Sequence, residues 1–260
     1  MSTDPGTRAE SLQSLTRGLA VIKCFDAEHA DLSLSDVARR SGTSRATARR
    51  ILHTLEDLGY VRLRDGRFSL TPRLLELGGA YLASSSLPAL ARPHLSDLTA
   101  ACDESSSLSE LDGDEIVYVA RVERRRIMSV AIGLGTRFPA YATSMGRVLL
   151  AGQPAEWAAE YVSRVELVGL TARTIVDGEE LRAELERVRD QGWCLVDEEL
   201  EPGLRSIAAP VRDADGRVVA AVNVSTTTRR SVPEIRAQLL GPLLECAREI
   251  NTDLASLRGR

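Results

Sequence analysis

Apolar positions in the first 72 residues recur at helical spacing and then switch to alternation. Leu15, Leu19, Ile22 and Phe25 form the stripe of a short amphipathic helix. In "SLSDVARRSG" (residues 33–42), Ser33 is placed as an N-cap, and Leu34, Val37 and Ala38 share one face. Gly42 stands where a helix should end. Ser44 is placed to cap a second helix that Gly59 ends. At about 100° per residue, Ala48, Ile51, Leu52, Leu55 and Leu58 gather on one side of this helix. Ala46, Arg50 and His53 centre the other side, flanked by Arg45 and Arg49. The next stretch, "YVRLRDGRFSL", alternates Val61 and Leu63 with Arg62 and Arg64, turns at Asp65-Gly66, and returns through Phe68 and Leu70. Asp-Gly between alternating runs predicts a hairpin. Two short helices joined around Ser41–Thr43 and followed by a basic hairpin read as a winged helix-turn-helix.

Beyond this unit the pattern predicts a helix over 73–87, with Gly78-Gly79 inside it and a Ser-Ser-Ser-Leu-Pro break at 84–88. Its Leu74, Leu77 and Tyr81 suit pairing with another subunit, or packing of a simple tether on its own domain. A helix is expected at 89–103, then strands within 106–123 turning at Asp112-Gly113, and another strand over 127–133. Helices follow at about 144–152, 154–163 and 178–190. Strands are expected at 193–200 and, paired around Asp215-Gly216, within 205–226; a final helix runs from Pro233 to about Leu257. Hairpin signals dominate, so the expected fold is α+β, with a mainly antiparallel sheet and helices packed on it. The organisation predicted is a DNA-binding domain at 12–72, a linker helix at 73–87, and an effector-binding and oligomerisation domain at 88–258.

Charge sharpens the reading of the first domain. The chain carries a net charge of −4. Residues 1–72 nevertheless hold eleven Arg and Lys against nine Asp and Glu, whereas 73–260 hold twenty-two against twenty-eight. Residues 39–50 contain five arginines and no acid. A major groove admits a helix, and arginine reads guanine edges or holds phosphate. The expected contacts with double-stranded operator DNA are Ser33, Thr43, Ser44, Arg45, Ala46, Thr47, Arg49 and Arg50, with Arg64 and Arg67 from the wing. Taken one at a time, each arginine has an equally simple use as part of a solvated face.

Other chemistries find little support. No run of about eighteen apolar residues predicts a membrane span, and the N-terminal stretch has no apolar core of a secretion signal. Cys24, Cys102, Cys194 and Cys246 are scattered, and His29, His53 and His94 add no ligand spacing, so no metal or other cofactor is expected. A reduced, cytoplasmic protein is the expectation. "ATSMG" (142–146) brushes against the nucleophile pattern G-x-S-x-G but opens with alanine, and in this domain only His94 could serve as a base, with nothing in the sequence to orient it. "GLG" (133–135) has no Lys-Ser/Thr after it. No catalytic residue is assigned. A ligand pocket fits better. Ser144 is placed to start a helix whose N–H groups would attract a carboxylate. Ser206 precedes an apolar run, and Asn223 and Ser225 share one face of an apolar strand. Their alternative use is bonding to neighbouring backbone or solvent.

These stretches resemble the IclR family of bacterial transcriptional regulators over nearly the whole chain. "SLTRGLAVIKCF" with "LSLSDVARRSGTSRATARRILHTLEDLGYV" looks like the family's winged helix-turn-helix. "FPAYATSMGRVLLA", "VDEELEPGLRSIAAPV" and "GRVVAAVNVS" look like three blocks of its effector domain, in the family's order. "YATSMGRVLLA" further resembles the branch that controls β-ketoadipate pathway genes, the PcaR, PcaU and PobR type. The resemblance implies a GAF-like effector domain that binds a small organic acid, here an aromatic acid or ring-cleavage product, and a homodimer or tetramer. It carries Ser144 and Met145 onto the family's ligand contacts. Ser206 stands where many members have cysteine, and Asn223 where many have serine. Asp197 is counted with the site, but an ionised carboxylate beside an anion would repel it, so Asp197 and Glu198 are expected at the rim or bonded to backbone. Two rivals remain open: a C-terminal domain that only assembles subunits, and an enzyme with a vestigial helix-turn-helix.

Overall fold

The computed structural model describes residues 12–26, 28–84, 86–124 and 132–257. The chain divides into two compact units, residues 1–84 and 85–260. No helix among the described residues is long and apolar enough to cross a membrane.

In the first unit, α1 (Gln13–Ile22), α2 (Leu34–Arg40) and α3 (Arg45–Asp57) pack with a three-stranded antiparallel sheet of β1 (Asp31–Ser33), β2 (Val61–Arg64) and β3 (Arg67–Leu70), in the order β1-β3-β2. Both expected caps are present. The Ser33 hydroxyl accepts the Asp36 N–H at 3.2 Å, and the Ser44 hydroxyl accepts the Thr47 N–H at 3.2 Å. Each such cap is worth about 1 kcal/mol. The expected core face of α3 is buried at Ala48, Leu52 and Leu55 and half-buried at Ile51. Leu58 caps the helix and is exposed. The wing turns at Asp65 and Gly66 with φ of 51° and 76°, the two left-handed residues of a type I′ hairpin.

The stripe assigned to α1 needs correction. Val21, Cys24 and Phe25 fill the core, while Leu15 and Leu19 are 61% and 50% exposed. The helix stops at Ile22, so the chain that buries Cys24 and Phe25 is already turning away from it. After the sheet, α4 (Leu75–Ser84) leaves Leu75, Leu77 and Tyr81 exposed.

The second unit begins with α5 (Ser86–Cys102), so Ser86, Leu87 and Pro88, expected to lie in a break, form its first turn. Pro88 is accommodated because the N–H it lacks would have no acceptor within the first turn, and Pro93 lies inside the helix as expected. Among the described residues six antiparallel strands follow: β4 (Ser105–Asp112), β5 (Glu115–Val122), β6 (Arg137–Pro139), β7 (Cys194–Asp197), β8 (Leu204–Arg212) and β9 (Val218–Thr227), in the order β6-β5-β4-β9-β8-β7. Between β6 and β7 come α6 (Ser144–Ala151), α7 (Ala155–Arg164) and α8 (Gly178–Gln191). The described residues end in α9 (Val232–Gln238) and α10 (Leu240–Leu257), the single C-terminal helix expected being split at Leu239. The expected α+β architecture is observed. The strand expected at 127–133 lies largely outside the described residues, as does residue 258 at the end of the expected domain. The short β1 and β6 escaped the sequence reading because three residues carry no usable alternation.

Alternation sorts the strands onto two cores. Ile207, Ala209 and Val211 of β8 and Ala220, Val222 and Val224 of β9 pack with α5, α9 and α10. Ala208 and Ala221 face the other way, toward α6, α7 and α8. That second face holds the candidate site.

Candidate functional site

On the first unit, the five arginines of residues 39–50 divide by what they touch. Arg39 donates to Asp36 at 2.8 Å. Arg40 donates to Asp26 at 2.9 Å and to the Cys24 carbonyl at 3.1 Å, so both are engaged within the unit. Arg45, Arg49 and Arg50 lie exposed on the outer face of α3, and among the described residues none is paired with an acid. Ala46 lies exposed between them, and Thr47 shares a 2.9 Å hydrogen bond with Ser44. Thr43 is hydrogen bonded to Ser41 at 2.9 Å in the turn before the helix. The Ser33 hydroxyl also donates to the Asp36 carboxylate at 2.7 Å, which holds that carboxyl below its ordinary pKa.

The wing arginines differ. Arg64 projects from the tip with its side chain 88% exposed, 3.9 Å from an equally exposed Asp65 that holds it only weakly. Arg67 instead donates to the Asp31 carbonyl at 2.8 Å and ties the wing to β1. An unpaired cationic helix face beside a cationic hairpin tip presents the donors that phosphates and base edges accept.

On the second unit, sheet register assembles the other site. Ser206 of β8 lies opposite Ser225 of β9, and Ala208 opposite Asn223, so Ser206, Asn223 and Ser225 fall on the face that receives α6. Helix α6 starts at Ser144 as expected and is buried along its whole length, and Thr143 caps it by accepting the Gly146 N–H at 3.0 Å. Gly146 is required here, because a Cβ would sit 2.1 Å from the Ala140 carbonyl oxygen. That close approach sets Ser144 against the sheet, where its hydroxyl meets that of Ser206 at 2.8 Å.

Ser144, Met145, Ser206, Asn223 and Ser225 line one small internal cavity together with Tyr118, Thr143, Val196, Leu200 and Leu204. Leu200, Leu204 and Ser225 also border a wider outer chamber of about 290 Å³, whose charged wall includes Glu104, Arg121 and Arg124. Burial pushes the Tyr118 phenol up to about 12, so it stays protonated at neutral pH. Asn223 is 2% exposed. Its Nδ2 donates to the Ser225 hydroxyl at 3.1 Å, and among the described residues its buried Oδ1 has no hydrogen-bond partner. The N–H groups of the first turn of α6 have no acceptor within the helix, apart from the one that Thr143 takes.

Asp197 does not line this cavity. Burial works against its charge, but hydrogen bonds and ion pairs from Arg205 and Arg173 prevail and hold its carboxyl below the ordinary value. Glu198 bends back at φ 59° and accepts the Gly203 N–H at 2.9 Å. Tyr118, Val196, Leu200 and Leu204 were missed because nothing local marks a residue as cavity-lining, and Thr143 was passed over for its neighbour Ser144. His94 is oriented after all, 2.8 Å from Asp253 and 3.3 Å from Glu249. It belongs to α5, on the face of the sheet opposite Ser144, so it cannot activate that hydroxyl.

A winged helix-turn-helix with unpaired arginines on its second helix, carried in one chain with a polar internal cavity, defines a ligand-responsive DNA-binding regulator. Residues 14–65 match the IclR helix-turn-helix domain, and residues 79–252 match the C-terminal domain of the bacterial transcriptional regulator IclR. The chain belongs to the IclR family. It is 45% identical over 242 residues to the Pca regulon regulatory protein of Pseudomonas putida, covering 92% of this chain and 83% of that one. It superposes with a TM-score of 0.85 on a transcriptional-regulator structure from Rhodococcus sp. RHA1, at 53% identity over 95% of this chain and 100% of the other. An IclR homolog from Microbacterium hydrocarbonoxydans, complexed with 4-hydroxybenzoate, matches with a TM-score of 0.81 and 28% identity, covering 94% and 99% of the two chains.

Proposed function

We propose that this regulator controls genes of aromatic-acid catabolism, holding operator DNA through its first unit and a small hydroxylated aromatic acid, or a ring-cleavage product of one, in its second. The buried Oδ1 of Asn223, which no described residue meets, carries this reading. An unmet buried acceptor costs about 1–3 kcal/mol, and a ligand hydroxyl would satisfy it. A carboxylate at the other end of the ligand would take the Ser144 and Met145 N–H groups at the start of α6, where the helix dipole adds up to about 2 kcal/mol in a partly buried site. The named relative from Pseudomonas putida and the 4-hydroxybenzoate complex support this ligand class.

Residues 12–72 would bind DNA through Ser33, Thr43, Ser44, Arg45, Ala46, Thr47, Arg49, Arg50 and the wing. Residues 73–87 would serve as linker, and 88–258 would bind the effector and assemble subunits. The exposed apolar stripes of α1 and α4 support a homodimer or tetramer. The protein would work in the cytoplasm and catalyse no reaction. The test is calorimetric titration with 4-hydroxybenzoate, protocatechuate and β-ketoadipate, beside an anisotropy assay on genomic fragments enriched on the protein. Saturable heat with at least one acid, together with a change in DNA affinity, is expected. No binding of any of them, with DNA binding intact, would leave a domain that only assembles subunits.

A further inference from the structure

We infer that the buried ion pair Arg147–Glu199 is a latch that fixes the roof of the effector cavity to the helix forming its floor, and so sets effector affinity without touching the effector. The inference rests on the reading of that cavity as the effector site. The roof is the arch at 198–203 that carries the chain from β7 to β8. Leu200 lines both the inner cavity and the outer chamber, and Glu201, Pro202 and Gly203 line the outer one. Left-handed backbone at Glu198 and Gly203 bends the arch at both ends.

At its ends the arch is held by the Thr228 N–H, which donates to the Gly203 carbonyl at 3.1 Å, and by Arg173, 3.5 Å from Glu198; two further kinds of anchor hold its Glu198–Glu199 stretch. One is loop-to-loop: the Thr171 hydroxyl donates to the Glu198 carbonyl at 2.7 Å, and the Thr174 hydroxyl to the Glu199 carbonyl at 2.6 Å. The other reaches the cavity floor. Arg147 lies on α6, one turn beyond Ser144, with its side chain 1% exposed. Its Nη1 donates to Glu199 Oε1 at 2.7 Å, its Nη2 donates to Glu199 Oε2, and its Nε donates to the Tyr141 carbonyl at 2.7 Å. Glu199 Oε2 also accepts the Ile175 N–H at 3.1 Å and so gathers the 171–175 loop into the same joint. Behind Arg147 the charges alternate onward through Glu184, 3.8 Å away, to Arg187 on α8. The cavity floor is thereby braced against a second helix.

Stability does not explain such a pair. Apolar residues of similar volume in place of a buried ion pair are often neutral or stabilising, and an apolar cluster against α6 stands ready to pack with them. A forked, two-bond contact provides a fixed distance and angle. Here it ties the loop that carries Leu200 to the helix that carries Ser144 and Met145, all three lining one cavity. Arg147 and Glu199 are therefore positioning residues.

The test compares Glu199→Gln, Arg147→Lys and the double variant Arg147→Met/Glu199→Met in the full chain. Three readouts are taken: thermal midpoint, amide exchange of ligand-free protein over peptides spanning 171–176 and 197–204, and calorimetry with 4-hydroxybenzoate. The double variant is expected to keep the wild-type midpoint and the protection of β8 and β9. Exchange in the arch should rise tenfold or more, and 4-hydroxybenzoate should bind at least tenfold more weakly. Arg147→Lys, which keeps the charge but not the fork, should recover only part of both losses. Wild-type exchange and affinity in the double variant would overturn the latch. Loss of its fold would do the same, because the pair would then be structural. Should the wild type bind no 4-hydroxybenzoate, the ligand reading is what fails, and the exchange comparison in ligand-free protein judges the latch alone.

Discussion

Replacing Asn223 by leucine separates a ligand-binding amide from a structural one. The side chain is buried against α6, donates one hydrogen bond to Ser225, and leaves Oδ1 unmet. Leucine has the same branched outline but a greater volume, and the adjoining cavity takes up part of the excess. Losing the Ser225 hydrogen bond costs about 0.5–1.5 kcal/mol, while removing the unmet acceptor returns about 1–3 kcal/mol. The ligand-free variant should therefore be as stable as wild type or more stable by up to about 2 kcal/mol. At about 2–4 °C per kcal/mol for a domain of this size, the thermal midpoint should hold or rise by a few degrees. Effector affinity should move the opposite way. Loss of one neutral hydrogen bond weakens binding about 2- to 10-fold, and the larger apolar side chain adds to this. Thermal melts with and without 4-hydroxybenzoate read both effects, since a ligand raises the midpoint in proportion to its binding free energy. A midpoint lowered by several degrees, with the ligand-induced rise unchanged, would refute the reasoning, because the amide would then serve the fold and not the ligand.

Three further outcomes follow from the same contacts. Arg49→Ala or Arg50→Ala should weaken operator binding by about 1–3 kcal/mol if the side chain reads a base, whereas Arg39→Ala, whose partner is Asp36, should change it little; equal affinities for all three by anisotropy would displace the interface from α3. Ser206→Leu should fill the inner cavity and break the 2.8 Å contact with Ser144, abolishing calorimetric heat with 4-hydroxybenzoate while operator affinity of the ligand-free protein stays at wild type. Asp197 has a folded pKa below its ordinary 3.8, so its charge stabilises the fold above that value, and the benefit is lost as pH falls through the folded pKa. Asp197→Asn should accordingly melt lower than wild type at neutral pH and converge with it in acid; a constant difference across the titration would mean that the ion pairs with Arg205 and Arg173 are not its source.

The helix-turn-helix and wing of the first unit were legible in the sequence, because their signals act within a few residues. Caps at Ser33 and Ser44, the Ala48–Leu52–Leu55 stripe and the Asp65-Gly66 turn are each complete within one turn or one hairpin. Local spacing also put Asn223 and Ser225 on one strand face. What it could not assign was which arginines are free. Arg40 is taken by Asp26, fourteen positions away, and Arg67 by the carbonyl of Asp31, thirty-six away. In the second unit nearly everything about the site was decided at long range. The register of β8 on β9 sets Ser206 opposite Ser225, and the close seat of Gly146 on Ala140 brings Ser144 to Ser206 across sixty-two positions. Arg147 and Glu199 meet across fifty-two. A helix or turn is selected by dihedral preference and neighbouring hydrogen bonds, which the local sequence carries. Cavity walls and buried ion pairs depend on which distant surfaces the core brings together, and only the folded chain makes that choice.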